Sequence, residues 1–273
     1  MDEQILNTLM IKGGLHSTLR VTNGSMKLCE KLLIKEQDKF FDHQLKQLGF
    51  KKEKLSNDVL NVLKMAESDI NTNVYNQCAL EEVNASKEEI YTQLSTGECK
   101  GLSVIDIQKI NNLSYAWSFL IQEEVVQIPS CFEILSALAK LVNAGLFQEP
   151  NAIRNSDVRI GGSSYIPPLP DKVKIIKDIK EIILANKSDV DIAIELCLYI
   201  MKSQIFIDGN KRVAILFANH YLMHTGSGLM IVDANNVRRF KNMLVDYYED
   251  KDSETIKKFL KEECFYSYKN IAI

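Results

Sequence analysis

The chain has 273 residues, enough for one large domain or for one domain with an appendage. Hydrophobic residues make up 46% and charged residues 25%, the balance of a globular protein rather than a disordered or fibrous one. The net charge of −3 gives no electrostatic case for nucleic acid as a main partner, and no apolar run reaches the ~18 residues of a membrane span. Cys29, Cys78, Cys99, Cys131, Cys197 and Cys264 are scattered without a C-x-x-C pair, so neither a zinc site nor a disulfide framework is expected. The opening stretch MDEQILNTLM is acidic where a signal peptide would be basic, which predicts a cytoplasmic protein.

Apolar residues recur at helical spacing along most of the chain, as in Val59, Val62, Leu63, Ala66 and Ile70. The spacing predicts helices over 2–11, 24–34, 36–49, 56–70, 86–96, 103–127, 130–144, 171–186, 188–202, 210–225, 235–249 and 252–264. The fold class is therefore all-α. The exception is 145–170, which holds four of the five prolines. There Val158, Ile160 and Tyr165 flank Gly161-Gly162, which predicts a short β-hairpin, since paired glycines permit a tight turn. Pro167-Pro168 then stops the second strand. Such a hairpin is either a docking edge for an extended peptide or a solvated connector.

The helix from 188 opens on Ser188 and Asp191, close to a capping box, and ends near Gln204. Asp191 and Glu195 are expected on its solvent side. Phe206 is expected to point inward, and Asp208-Gly209-Asn210 to form a turn. The next helix carries Val213, Ala214, Ile215, Leu216, Phe217 and Ala218 in its first turns, so it has no polar face and must be central. Its start is unusual. Lys211 and Arg212 add positive charge to an end that already carries the positive pole of the helix dipole. An anion in the turn would explain this, with Gly209 letting the backbone approach it and the amides of 209–212 converging on it. Asp208 fits such a site if it holds a magnesium ion that bridges to phosphates. Spacing alone leaves a second reading open, in which Asp208 or Asn210 caps the helix and Lys211 and Arg212 are exposed.

The stretch Gln204-Ile205-Phe206-Ile207-Asp208-Gly209-Asn210-Lys211-Arg212 resembles the Fic/Doc family motif His-x-Phe-x-Asp/Glu-Gly-Asn-Gly/Lys-Arg. Ile153-Arg154, Val158-Arg159-Ile160-Gly161-Gly162, Pro167-Pro168, Asn219 and Gly226 also stand where that family has similar residues. The resemblance covers about 75–265 and divides the chain into an N-terminal helical region, 1–70, and a Fic-like domain, 71–273. It implies a Fic-type helical fold with a small β-hairpin flap, and transfer of AMP from ATP to a hydroxyl on a target protein. ATP and Mg2+ are the implied cofactors. Asp208 would hold the metal; Gly209, Asn210, Lys211 and Arg212 would hold the nucleotide. Ile160, Gly161, Gly162, Ser163 and Tyr165 would form the flap that docks the target protein. A homodimer is compatible with the resemblance; nucleic-acid and membrane partners are not expected. Lys211 and the Arg-x-Ala that ends at Ala214 are similar to the Doc branch, which implies that phosphate rather than AMP is transferred. The family's inhibitory helix has a counterpart in Gln77-Cys78-Ala79-Leu80-Glu81-Glu82, with Glu81 as the inhibitory glutamate. Gln77 replaces its Ser/Thr, Glu82 its Gly/Asn, and Ile215 the arginine that would receive the glutamate. The bland expectation for Glu81 is a solvated helix residue.

The catalytic set implied is Gln204, Asp208 and Arg212, but Gln204 stands where the family has its base. An amide has no basic site. The sequence therefore predicts nucleotide binding with slow or altered transfer. The alternatives are a non-catalytic, regulatory or antitoxin-like nucleotide binder and a Doc-like kinase. His220 and His224 share one helix face and are expected in the core rather than on a metal. Tyr247-Tyr248 is expected at a core edge, or near a bound base by the resemblance, and Trp117 in the core.

Overall fold

A computed structural model describes residues 2–22, 39–81 and 83–270. Its elements are, in order, α1 (Glu3–Thr22), α2 (39–47), α3 (Asn57–Ser68), α4 (Ile70–Leu80), α5 (Lys87–Thr96), α6 (Val104–Leu120), α7 (Glu123–Val126), α8 (Phe132–Val142), α9 (Lys172–Ile183), α10 (Asp189–Ser203), α11 (Asn210–Thr225), β1 (Leu229–Met230), α12 (Val237–Tyr248), α13 (Glu254–Glu263) and β2 (Phe265–Tyr266). The all-α fold class holds. The helix expected over 24–34 lies outside the described residues. The one expected over 56–70 is broken at Asp69 into α3 and α4, and the one over 103–127 into α6 and α7.

The central helix is α11, buried on every side from Val213 to Met223. It packs against α10, α8, α6, α4 and α3, and against β1. Side-chain caps fix the ends around it: Ser188 Oγ accepts the Asp191 amide at 3.2 Å to start α10, and Ser56 and Ser103 do the same for α3 and α6. At the far end of α11, Asn219 acts as a substitute strand. Its Nδ2 donates to the Met230 carbonyl at 2.8 Å and its Oδ1 accepts the Met230 amide at 2.9 Å. That pairing ties β1 to α11. The small antiparallel sheet is β1 with β2, in the register Leu229 to Tyr266 and Met230 to Phe265.

The N-terminal helix is part of the same core. Ile5, Leu6 and Leu9 are buried in a cluster that continues to Cys264. A Cβ at Gly13 would lie 3.0 Å from the Phe119 backbone, so that glycine allows α1 and α6 to approach closely. Gln122 Nε2 donates to the Leu9 carbonyl at 2.8 Å, and Lys12 meets the buried Glu124 carboxylate at 3.2 Å. Among the described residues, no helix is long and apolar enough to cross a membrane.

Candidate nucleotide site

The loop between α10 and α11 is set by a residue in an unusual conformation. Gln204 ends α10 in the left-handed region, at φ 46° and ψ 57°, a conformation that few non-glycine residues adopt. It persists because its surroundings determine it from several sides. Its amide donates to Ile200 O at 3.2 Å, its Nε2 to Met201 O at 2.7 Å, and its Oε1 accepts Asn210 Nδ2 at 3.2 Å. Arg154 Nε donates to its carbonyl at 2.9 Å. The side chain at the position of the family base thus spends one N–H and one lone pair on the loop itself.

Phe206 is the inward anchor that the sequence predicts. Asn210 clamps it, accepting the Phe206 amide at 2.9 Å and donating to the Phe206 carbonyl at 2.7 Å. Ile153 bridges Phe206 from outside in antiparallel register. Gly209 follows at φ 74°, and a Cβ there would lie 2.8 Å from Asn143 Oδ1 and 3.1 Å from Arg212 Nη2. Glycine is needed both for the turn and for the close approach. Asn143 was not foreseen. Its Nδ2 holds the Asp208 carbonyl at 3.0 Å and the Pro150 carbonyl at 2.9 Å, while its buried Oδ1 has no partner.

No side chain caps α11; its N-cap is Gly209. The amides of Asn210, Lys211 and Arg212 meet no acceptor among the described residues. The reading in which Asp208 or Asn210 caps the helix with Arg212 exposed is therefore corrected. Asn210 turns back to Phe206, and Arg212 is fully buried. The guanidinium meets Asp208 Oδ2 through Nη2 at 3.0 Å, Glu81 Oε2 beside Nε at 3.2 Å and Val142 O through Nη1 at 3.3 Å. Lys211 Nζ lies 3.5 Å from Glu81 Oε1. The expectation of a solvated Glu81 fails too: its side chain is only 9% exposed. It caps the C-terminal end of α4, a helix that apolar periodicity did not reveal. Glu82 lies outside the described residues.

Two cations and a helix N-terminus thus converge on one point, and two carboxylates balance them. The carboxylates differ. Asp208 is half exposed, and only its Oδ2 is taken by Arg212, so one oxygen remains free for a hard cation. Glu81 is enclosed, yet neither Arg212 Nε nor Glu81 Oε1 makes an aligned hydrogen bond. The pair is close but not interlocked.

The segment expected to be a β-hairpin forms no strand pair. Gly161-Gly162 does make the turn, closed by the Ser163 amide on the Ile160 carbonyl at 3.2 Å, with Gly162 at φ 79°. The arms do not pair because their partners lie elsewhere. Ser164 donates its amide to Glu249 Oε1 at 2.7 Å, Ser163 Oγ reaches the same oxygen at 3.2 Å, and Tyr165 stacks on Tyr248 at 6.4 Å. The Lys251 ammonium, which has the largest effect, the Ser164 amide and hydroxyl and the Ser163 hydroxyl hold the Glu249 carboxyl down at about 2. Arg154 secures the base of the segment by donating to Ser156 O at 2.6 Å and Pro168 O at 2.8 Å. Ile160 is partly buried beneath it.

The remaining candidates are structural. His220 is buried, with Nδ1 against Ser130 Oγ at 2.7 Å and Nε2 against Val125 O at 3.2 Å, and burial pushes it down to about 4. His224 reaches Val126 O, and no cluster of three metal-binding side chains occurs among the described residues. Asp191 pairs with Lys261 at 2.8 Å and Glu195 with Lys257 at 2.9 Å, so neither is a free acid or base. Trp117 is the core anchor that was expected, and its indole is also bonded.

Comparison with known proteins agrees with this geometry. The chain is similar in fold to a Fic domain containing signaling protein from Bacteroides thetaiotaomicron, with 17% identity over 74% of this chain and 79% of that one and a TM-score of 0.56. It is similarly close to Fic-1 (residues 134–508) from C. elegans, with 17% identity over 94% and 79% and a TM-score of 0.58. A Fic family protein from Desulfovibrio desulfuricans G20 gives 14% identity over 77% and 72% and a TM-score of 0.57. No curated protein matches by sequence. Residues 132–222, from the start of α8 almost to the end of α11, match the model of the Fic/DOC family.

Proposed function

We propose that the chain binds ATP with magnesium at the turn before α11 and slowly transfers AMP to a hydroxyl of a target protein, with diphosphate leaving as the α–β phosphate bond breaks and Glu81 as an intramolecular competitor for the site. One observation carries this reading. Arg212 is fully buried at an uncapped helix start, and its charge is met partly by a carboxylate from another helix. A buried cation at the positive end of a dipole is unfavourable without anions. A nucleotide would supply them, and Glu81 stands in for it.

In this reading the amides of Asn210, Lys211 and Arg212, the Arg212 guanidinium and Lys211 bind and orient the phosphates. The free oxygen of Asp208 suits magnesium, which when bound would neutralise charge developing on the phosphate oxygens. Fixed donors in a dry pocket supply a large share of phosphoryl-group catalysis. The target hydroxyl loses its proton without help from Gln204. A missing general base typically slows such a step by about 10²–10⁴-fold. The segment 160–165, pinned by Glu249 and Arg154, would align the target.

A second reading keeps the binding and drops the transfer. The bonding of the Gln204 amide to Met201 and Asn210 within the loop favours it. Incubation with ATP labelled at the α or the γ position separates the outcomes. Label from the α position on protein marks AMP transfer; label from the γ position marks a kinase; ATP-dependent stabilisation without label marks the binder. A Gln204→His variant should gain α-label transfer by about 10²-fold or more. No gain in a variant that binds ATP would favour the non-catalytic binder.

A further inference from the structure

The helix α9 turns Ile175 and Ile179 into the core, against α10 and α8. Its remaining apolar residues form a second stripe on the outside. Val173, Ile176 and Leu184 share one flank, because steps of three, eight and eleven residues return to the same side of a helix. All three are exposed, Val173 at 76% and Leu184 at 72%. Ile166 and Leu169, also exposed, stand ahead of the helix. Single exposed apolar residues are ordinary, but a row of them marks a contact surface.

The same flank is basic. Lys177 and Lys180 stand between Val173 and Leu184. The two carboxylates of α9 are turned to other lysines of the helix: Asp178 meets Lys174 at 2.7 Å and Glu181 meets Lys177 at 3.6 Å, whereas Lys180 meets no carboxylate among the described residues. Five lysines and two carboxylates fall within 172–187, in a chain whose net charge is −3. An exposed apolar row and a local reversal of charge therefore coincide.

That combination decides what covers the face. Two copies laid antiparallel here, with Val173 of one on Leu184 of the other, would bring Lys177 against Lys180, like charge on like. A short protein segment would need a groove to lie in, but Val173 and Leu184 project from the convex side of a helix. A lipid surface needs no groove. An interfacial helix carries its apolar row into the boundary between headgroups and acyl chains, while lysine stems reach back to the charged headgroups.

We propose that α9, with Ile166 and Leu169 ahead of it, docks the protein on an anionic lipid surface, Val173, Ile176 and Leu184 entering the headgroup boundary and Lys177 and Lys180 meeting the anionic headgroups. Among the described residues no helix can cross a membrane, and this contact requires no crossing. It revises the expectation of no membrane partner, which rested on the lack of a spanning run. The inference stands apart from the nucleotide reading, and its test uses no nucleotide.

The test is cosedimentation of the full chain with phosphatidylcholine vesicles containing about 30% phosphatidylglycerol, against pure phosphatidylcholine, at ~0.1 M NaCl. Wild type should partition onto the anionic vesicles at least about tenfold better than onto the neutral ones, and ~0.5 M NaCl should release it. Lys177→Gln with Lys180→Gln should weaken partitioning by about tenfold or more, at roughly fivefold per lysine. Val173→Ser with Leu184→Ser should weaken it by at least about tenfold. All four residues are exposed, so both double variants should keep the wild-type thermal midpoint by circular dichroism. Wild type that stays in the supernatant with anionic vesicles would overturn the inference and leave the face to an acidic protein partner. Binding that neither pair of substitutions weakens would overturn it by placing the contact elsewhere. A dimer in sedimentation velocity that Val173→Ser with Leu184→Ser dissolves would overturn it in favour of a second copy.

Discussion

Asn210 and Glu81 are both enclosed polar side chains near Arg212, the first two residues before it in α11 and the second at the end of α4, yet they are bonded in opposite ways. Asn210 meets Phe206 at 2.9 and 2.7 Å with donor and acceptor each facing its complement. Glu81 lies 3.2 Å from Arg212 Nε, as near as a hydrogen bond, but the guanidinium N–H points elsewhere. The first arrangement is a fixed part of the loop. The second is an electrostatic contact without an aligned hydrogen bond at Arg212 Nε. The difference separates two kinds of contact: the turn at 206–210 is closed by aligned hydrogen bonds, and the carboxylate beside Arg212 is held there by charge.

The comparison can be broken at its rigid side first. Asn210→Ala leaves the buried Phe206 amide and carbonyl without partners, and should destabilise the fold by about 2–4 kcal/mol in urea denaturation. A loss below 1 kcal/mol would mean that the clamp is not structural. A second aligned contact, at His220, offers a test that needs no substitution. Burial lowers the folded value to about 4 from an ordinary value near 6.5. The unfolded chain therefore binds the proton more readily. The stabilisation is complete above pH ~6.5, declines as the pH falls, and is gone below pH ~4. Denaturation midpoints should show a loss of about 2 kcal/mol between pH 7 and pH 5, absent in His220→Phe. The loose side should respond least. Arg212 keeps Asp208 when Glu81 is removed, so Glu81→Ala should cost about 1–2 kcal/mol, less than breaking an isolated buried pair. A cost of 3 kcal/mol or more, which is about that of breaking an interlocked buried pair, would put Glu81 with the scaffold.

Much of the site was legible in the sequence because it follows from local chemistry. Gly209 before two cations, at the head of a helix without a polar face, already marked this turn as the candidate site. The central place of α11 followed from Val213 to Ala218. Other parts depend on tertiary partners and were hidden. Apolar periodicity missed α4, whose end only the resemblance marked, because Asn73, Asn76 and Gln77 are buried among Val74, Cys78 and Leu80 and interrupt the apolar pattern. Asn143 gave no signal, since two of its partners are backbone carbonyls distant in sequence. The glycine pair at 161–162 correctly marked a turn, but the hairpin failed because Glu249 and Tyr248, more than eighty residues on, compete for the second arm. The burial of Glu81 could not be read from its own neighbours, because the cations that attract it lie on another helix.

The most direct test is calorimetric titration of wild type and Glu81→Ala with ATP and MgCl2 under identical conditions. The account predicts measurable binding to wild type and binding at least about tenfold tighter to the variant, since removal of the competing carboxylate frees Arg212 and Lys211 for the phosphates. Equal affinities would show that Glu81 does not occupy the nucleotide's place. No heat in either protein would contradict the claim that residues 208–212 exist to hold a phosphate.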